Sequence, residues 1–127
     1  MKYGYSKIVS PPFEEAIIKV TEALATEGFG VLTTIDVKAT MRKKLDLNYE
    51  NYTILGACNP TFAHKALEAE KEIGLLLPCN VIVYQTGDDV HVSAMLPSAA
   101  MSAVENDAIA DIAEEVETRL KKVVDAV

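Results

Sequence analysis

The chain has 127 residues, enough for one domain with a buried core, and half are hydrophobic against 24 % charged, which excludes a disordered chain. Twelve Lys and Arg against nineteen Asp and Glu leave a formal charge of −7, which opposes binding to nucleic acid or to an anionic membrane surface. The longest apolar run, residues 73 to 77 with Gly74 inside it, falls far short of the roughly 20 residues that span a bilayer. Alternation of Tyr3, Tyr5, Lys7 and Val9 with Gly4, Ser6 and Ile8 predicts a first strand, stopped at Pro11-Pro12 because proline cannot donate to a ladder. Phe13, Ala16, Ile17, Val20, Ala23 and Leu24 recur at helical spacing, and Gly28 supplies the left-handed residue that ends such a helix.

Val31, Thr33 and Ile35 read as a second strand. Asp36 is placed to cap a short helix with Val37, Met41 and Leu45 on one face. Lys38, Arg42, Lys43 and Lys44 crowd its other sides, first a solvated helix face and second a candidate anion site. Tyr52, Ile54, Gly56 and Cys58, alternating with Thr53, Leu55 and Ala57, predict a third strand. Asn59-Pro60 opens a helix, since Asn caps and Pro has no amide hydrogen to leave unpaired. Phe62, Ala66, Ala69 and Ile73 form its apolar face, His64 lies away from that face, and Gly74 closes the helix.

Thr86-Gly87-Asp88-Asp89 signals a hairpin. Pairing Gln85 with Val90 sets Val83 against Val92, Val81 against Ala94 and Cys79 against Leu96, an apolar face expected to meet the helices. The other face mixes Asn80, Ile82, Tyr84, His91, Ser93 and Met95 and suits a partly covered surface or a subunit contact. A loop of small residues follows Pro97. A last amphipathic helix then carries Ile109, Ile112, Ala113, Val116, Leu120, Val123, Val124 and Val127. The order β-α-β-α-β-α-β-β-α predicts a single α+β domain over residues 1–127. It is a two-layer sandwich with a mostly antiparallel five-stranded sheet and helices packed on one face. A doubly wound parallel sheet is the alternative, but the second helix is too short to cover a second face alone.

No phosphate-binding glycine loop, HExxH, GxSxG or CxxC occurs. The unusual segments are Gly56-Ala57-Cys58-Asn59-Pro60 with His64, and Leu75-Leu76-Leu77-Pro78-Cys79-Asn80. If the two strands they bound lie side by side and antiparallel, both sulfurs approach the N-terminus of the helix starting at Pro60, which favours thiolate. In the plainest reading both cysteines are small core residues and Asn59 and Asn80 satisfy turn backbone. In a second, Cys58, Cys79 and His64 hold a soft metal ion such as zinc or copper, although the cysteine spacing carries little information. In a third, a small-molecule pocket lies between sheet and helices, with the asparagines as polar anchors.

The strings GFGVLTTIDVKATMRKKL, ILGACNPTFAHKALE and IGLLLPCNVIVY resemble the family called domain of unknown function 302 over nearly the whole chain. The resemblance implies a β-α-β-β-β-β-α core likened to the TATA-box-binding-protein-like fold, a cytosolic place and a homodimer. The family's signature falls here on Cys58, Asn59, Pro60, His64, Leu77, Pro78, Cys79 and Asn80. It implies no activity, and a fold likened to a DNA-binding one does not bring DNA binding with it.

The leading expectation is a small cytosolic binding domain, paired as a homodimer, with a ligand pocket at Cys58, Asn59, His64, Cys79 and Asn80. The thiols act there as soft ligands and His64 as a third ligand or proton acceptor. A thiol-dependent enzyme with Cys58 as nucleophile and His64 as base is the first alternative. A structural homodimeric module joined through the Tyr84, His91 and Met95 face is the second. The missing apolar leader at Met1-Lys2-Tyr3-Gly4-Tyr5 sets the cytosolic expectation, under which both cysteines stay thiols.

Overall fold

The computed structural model describes residues 2–127. Strand β1 (Gly4–Val9) and helix α1 (Phe13–Thr26) precede β2 (Gly30–Asp36) and α2 (Val37–Leu45). Strand β3 (Tyr52–Cys58) leads into α3 (Pro60–Ala69) and a 3-10 segment (Lys71–Leu76). The hairpin of β4 (Cys79–Thr86) and β5 (Asp89–Met95) follows, then the short α4 (Pro97–Ala100) and the long α5 (Asp107–Asp125). The strands form one open sheet in the order β1-β5-β4-β3-β2, and every neighbouring pair is antiparallel. The parallel alternative is thereby excluded. With α2, α3 and α4 set aside, the chain order is the β-α-β-β-β-β-α core that the resemblance implies.

One face of the sheet makes the core. Leu55, Ala57, Val81, Val83, Val92 and Ala94 are buried there against Ala16, Val20 and Leu24 of α1 and Val116, Leu120, Val123 and Val124 of α5. The period-2 and period-3.6 patterns therefore converge on one layer boundary, as a sheet face and two helix stripes must. A second cluster joins Ala66 of α3, Ile73, Met101, Ile109 and Ala113. At the far end, Lys7 Nζ donates to the Val127 carbonyl at 2.8 Å, and Tyr5 donates its hydroxyl to Asp125 at 2.7 Å, tying β1 to the end of α5.

Three rows of side chains cross the opposite, open face. The first runs Ile8, His91, Tyr84, Tyr52, with ring centroids 4.5 Å apart for Tyr84–His91 and 5.4 Å for Tyr52–Tyr84. Ser6, Ser93, Ile82, Ile54 and Ile35 make the second, in which the two serine hydroxyls lie 2.7 Å apart. Gly4, Met95 and Asn80 continue toward Gly56 and Thr33 in the third.

Three local expectations are corrected. The helix from Pro60 ends at Ala69, not at Gly74, because Glu70 is extended (φ −150°) and Asn106 Nδ2 donates to the Ala69 carbonyl at 2.9 Å. Ile73 N then bonds Glu70 O, so the chain continues as 3-10. The hairpin register holds through Val81↔Ala94, but the strand partner of Cys79 is Ala57 on β3, since β5 stops at Met95. Pro97 starts a helical turn rather than a loop, its missing amide hydrogen suiting the first helical position. Asp36 does cap α2, accepting from Ala39 N at 2.9 Å, yet α2 buries no residue and its apolar stripe adds nothing to the core. Among the described residues, no helix is long and apolar enough to cross a membrane.

Candidate functional site

An apolar cavity of about 330 Å³ lies where the sheet gives way to α3, α4 and α5. Its floor is Ala57 and Cys79 from the adjacent ends of β3 and β4, and its walls are Phe62, Ala63, Ala66 and Leu67 of α3 with Ile109, Ile112, Ala113 and Val116 of α5. Met101 and Pro97 close one end. Leu32, 68 % exposed, and exposed Thr33 also line it, so the cavity opens to solvent beside β2. A β-bulge between Val31 and Thr33 puts Leu32 out of the regular alternation and turns it toward this mouth.

The GACNP segment builds the cavity's rim through backbone and caps. A Cβ on Gly56 would collide with Thr33 Oγ1 and lie 2.8 Å from Pro78 Cγ, so only glycine lets β2 and the chain before β4 close over it. Asn59 caps α3, its Oδ1 accepting from Phe62 N at 3.4 Å, while its Nδ2 donates to the Glu27 carbonyl at 3.3 Å. Arg119 NH1 donates to the same carbonyl at 3.2 Å, joining the end of α1 to α3 and α5. Gly28 follows in the left-handed region (φ 84°), where a Cβ would stand 2.9 Å from Asn59 Nδ2.

Both thiols are free, and both face this cavity. Cys58 is half-buried, one residue ahead of the α3 cap. Cys79 is only 6 % exposed, and burial, with a smaller contribution from the nearby Cys58, pushes its thiol up to about 11. It is a neutral packing thiol at ordinary pH. Of the five expected site residues, then, Cys58, Asn59 and Cys79 line the cavity.

His64 and Asn80 do not. His64 sits on the outer face of α3, its side chain 77 % exposed and its Nε2 3.3 Å from Glu68 Oε1 on the next turn. Asn80 is exposed on the open sheet face opposite Gly56. The spacing of His64 from Asn59 directs it outward, so it is neither a base for Cys58 nor a third ligand. No group of three or more His, Cys, Asp or Glu able to hold a metal occurs among the described residues. Two thiols without a third donor beside them do not supply the four-donor set that a structural zinc takes.

Leu32, Thr33, Met101 and the α5 residues were not singled out by the sequence as site residues. The stripe on α5 reads as ordinary core, and the one available signal is the run of small side chains on facing elements. Ala57, Ala63, Ala66 and Ala113 leave between them the volume that larger residues would fill.

Fold and cavity together define a two-layer α+β domain with an apolar pocket beneath the helices at one end of its sheet. Over residues 5–127 the chain matches the family Domain of unknown function DUF302, and it belongs to that family. It is similar throughout to the crystal structure of an uncharacterized conserved protein DUF302 from Bacillus stearothermophilus. The TM-score is 0.92 and the identity 30 %, covering 99 % of this chain and 98 % of that one. No curated protein matches the chain. The function of the family is unknown.

Proposed function

We propose that the chain is a cytosolic binding protein that takes up a small, uncharged, largely apolar molecule in the cavity between β3, β4 and helices α3 and α5. The observation that carries this reading is the cavity's size together with its lining, which includes no charged residue. A volume of about 330 Å³ is near the lower end of small-molecule sites. At roughly 30 Å³ per atom it accommodates about ten non-hydrogen atoms.

Solvation supports the same reading. An apolar ligand that leaves water for this pocket buries apolar surface on both partners, and it stabilises the folded chain because it occupies N and not U. Cys58 and Thr33 at the mouth offer weak polar contacts to one neutral polar group on the ligand. The two free thiols suit a reducing compartment.

Isothermal titration with indole, and with benzoate as a charged counterpart of similar size, tests the reading. At ~0.5 kcal/mol per atom a neutral probe of about ten atoms gains ~5 kcal/mol, a dissociation constant of about 0.2 mM. Saturable one-site binding of indole with benzoate excluded is the expected result. Equal binding of both, or of neither across a panel of neutral probes, overturns it.

A further inference from the structure

Two thiols line the cavity, and a pocket for a chemically inert apolar molecule requires neither. They are graded in depth: Cys58 is half-buried, while Cys79 on the floor is 6 % exposed. A cysteine that only packs is among the most fully buried of residues, and Cys58 is not. Few polar groups here are free to meet a ligand. The Asn59 amide is occupied at the start of α3, accepting from Phe62 N and donating to the Glu27 carbonyl. Among the described residues no hydrogen bond engages the Cys58 thiol, the Cys79 thiol or the Thr33 hydroxyl, and all three line the cavity. Cys79 is thus a polar side chain more than nine-tenths buried, without a partner, facing the space between β3, α3 and α5.

We infer that the cavity takes an α,β-unsaturated ketone with an apolar tail, and that Cys58 captures it covalently at the β-carbon. The inference rests on the binding reading above and gives that ligand a chemical class. A thiol is a soft nucleophile, and the β-carbon of an enone is a soft, uncharged electrophile. A carboxylate or phosphate ester, by contrast, would meet no cation anywhere in the lining. The enone carries one neutral polar group, its carbonyl, to which the Thr33 hydroxyl donates. Its apolar tail lies among Phe62, Ala66, Ile112 and Val116, and the Cys79 sulfur offers the tail a sulfur–π contact.

In the addition a bond forms between the Cys58 sulfur and the β-carbon, and the carbon–carbon π pair moves to the α-carbon. The proton that the thiol gives up to water is returned to the α-carbon. Nothing leaves, the adduct carries the whole mass of the ligand, and no oxidant, reductant or co-reactant takes part. A side-chain base is not needed either. His64 faces away from the cavity, and the half-buried thiol exchanges its proton with water at the open mouth. Cys79, its thiol pushed up to about 11 by burial, stays protonated and does not compete. The gain of Cys58 over a thiol in solution comes from proximity, because the cavity holds the electrophile beside the sulfur.

Phenyl vinyl ketone, of about ten non-hydrogen atoms, matches the cavity, whereas methyl vinyl ketone keeps the reacting group and lacks the ring. Intact-mass spectrometry with peptide mapping follows both reactions on the full chain, with glutathione as the thiol free in solution. Phenyl vinyl ketone is expected to add once, at Cys58. Its rate relative to glutathione should exceed that of methyl vinyl ketone at least ~10-fold. Indole at about ten times its dissociation constant leaves roughly a tenth of the cavities free and should slow the addition about 10-fold. Cys58→Ser, verified as folded by circular dichroism, is expected to form no adduct. An adduct on Cys79 or on lysines, equal relative rates for the two ketones, or an addition that bound indole does not slow overturns the inference and leaves the binding reading standing. Failure of indole to bind by calorimetry overturns the binding reading, and with it the ligand class assigned here.

Discussion

Replacing Ala113 by leucine separates a ligand cavity from a merely loose core. Ala113 is buried on α5 and lines the cavity, so the three added carbons project into existing space. At ~0.8 kcal/mol per buried carbon they gain about 2.4 kcal/mol, against the ~1–3 kcal/mol that overpacking costs when space is lacking. The net change in unfolding free energy is therefore expected to lie within about 1 kcal/mol of zero or to be stabilising. Ala16 gives the contrast. It is fully buried under the sheet and does not line this cavity, so Ala16→Leu carries the whole overpacking penalty.

Binding moves the other way. The leucine displaces about three of the ten ligand atoms the cavity accommodates. At ~0.3–1.5 kcal/mol per atom this loses ~1–4.5 kcal/mol, at least a fivefold drop in affinity. Urea unfolding of the two variants and calorimetric titration of indole into Ala113→Leu measure both quantities. The reasoning is refuted if Ala113→Leu destabilises as much as Ala16→Leu, or if it binds indole as well as wild type.

Three further outcomes follow from the rim and the thiols. Gly56→Ala drives a methyl into Thr33 and Pro78 and is expected to destabilise by more than ~2 kcal/mol, read from the urea midpoint. In the folded state Cys79 ionises near 11 instead of 9.0, so its contribution is fully present below pH 9 and is lost as pH rises through 11, ~2.7 kcal/mol at the most. Cys79→Ala should remove that part of the alkaline decline in thermal stability, and an unchanged decline would show that the thiol is not held in an apolar site. His64→Ala should leave indole affinity unaltered and shift stability by no more than ~0.5 kcal/mol, because the Glu68 pair is exposed.

The strands and long helices were legible because their apolar periods are strong and their punctuation is local. Asn59-Pro60 starts α3 and Gly28 ends the turn after α1, as the residue types require. The end of α3 was not legible, since it depends on the Asn106 side chain reaching back 37 positions to the Ala69 carbonyl. The cysteines' convergence could be reasoned from two strand ends, and antiparallel pairing of β3 with β4 provides it. His64 misled because proximity in sequence to Asn59 says nothing about which side of a helix faces the thiols. The cavity was hidden for a deeper reason: a pattern of apolar residues marks burial, but whether buried side chains meet or leave a gap is settled by volumes summed over β3, α3 and α5.

Methyl-resolved ¹H–¹³C NMR of the protein titrated with indole tests the binding reading most directly. Saturable shifts at Leu32, Met101, Ile109, Ile112 and Val116, fitted by one site, are the expected result. Unperturbed methyls around the cavity, or shifts confined to Ile8, Ile35, Ile54 and Ile82 on the open face, would contradict it.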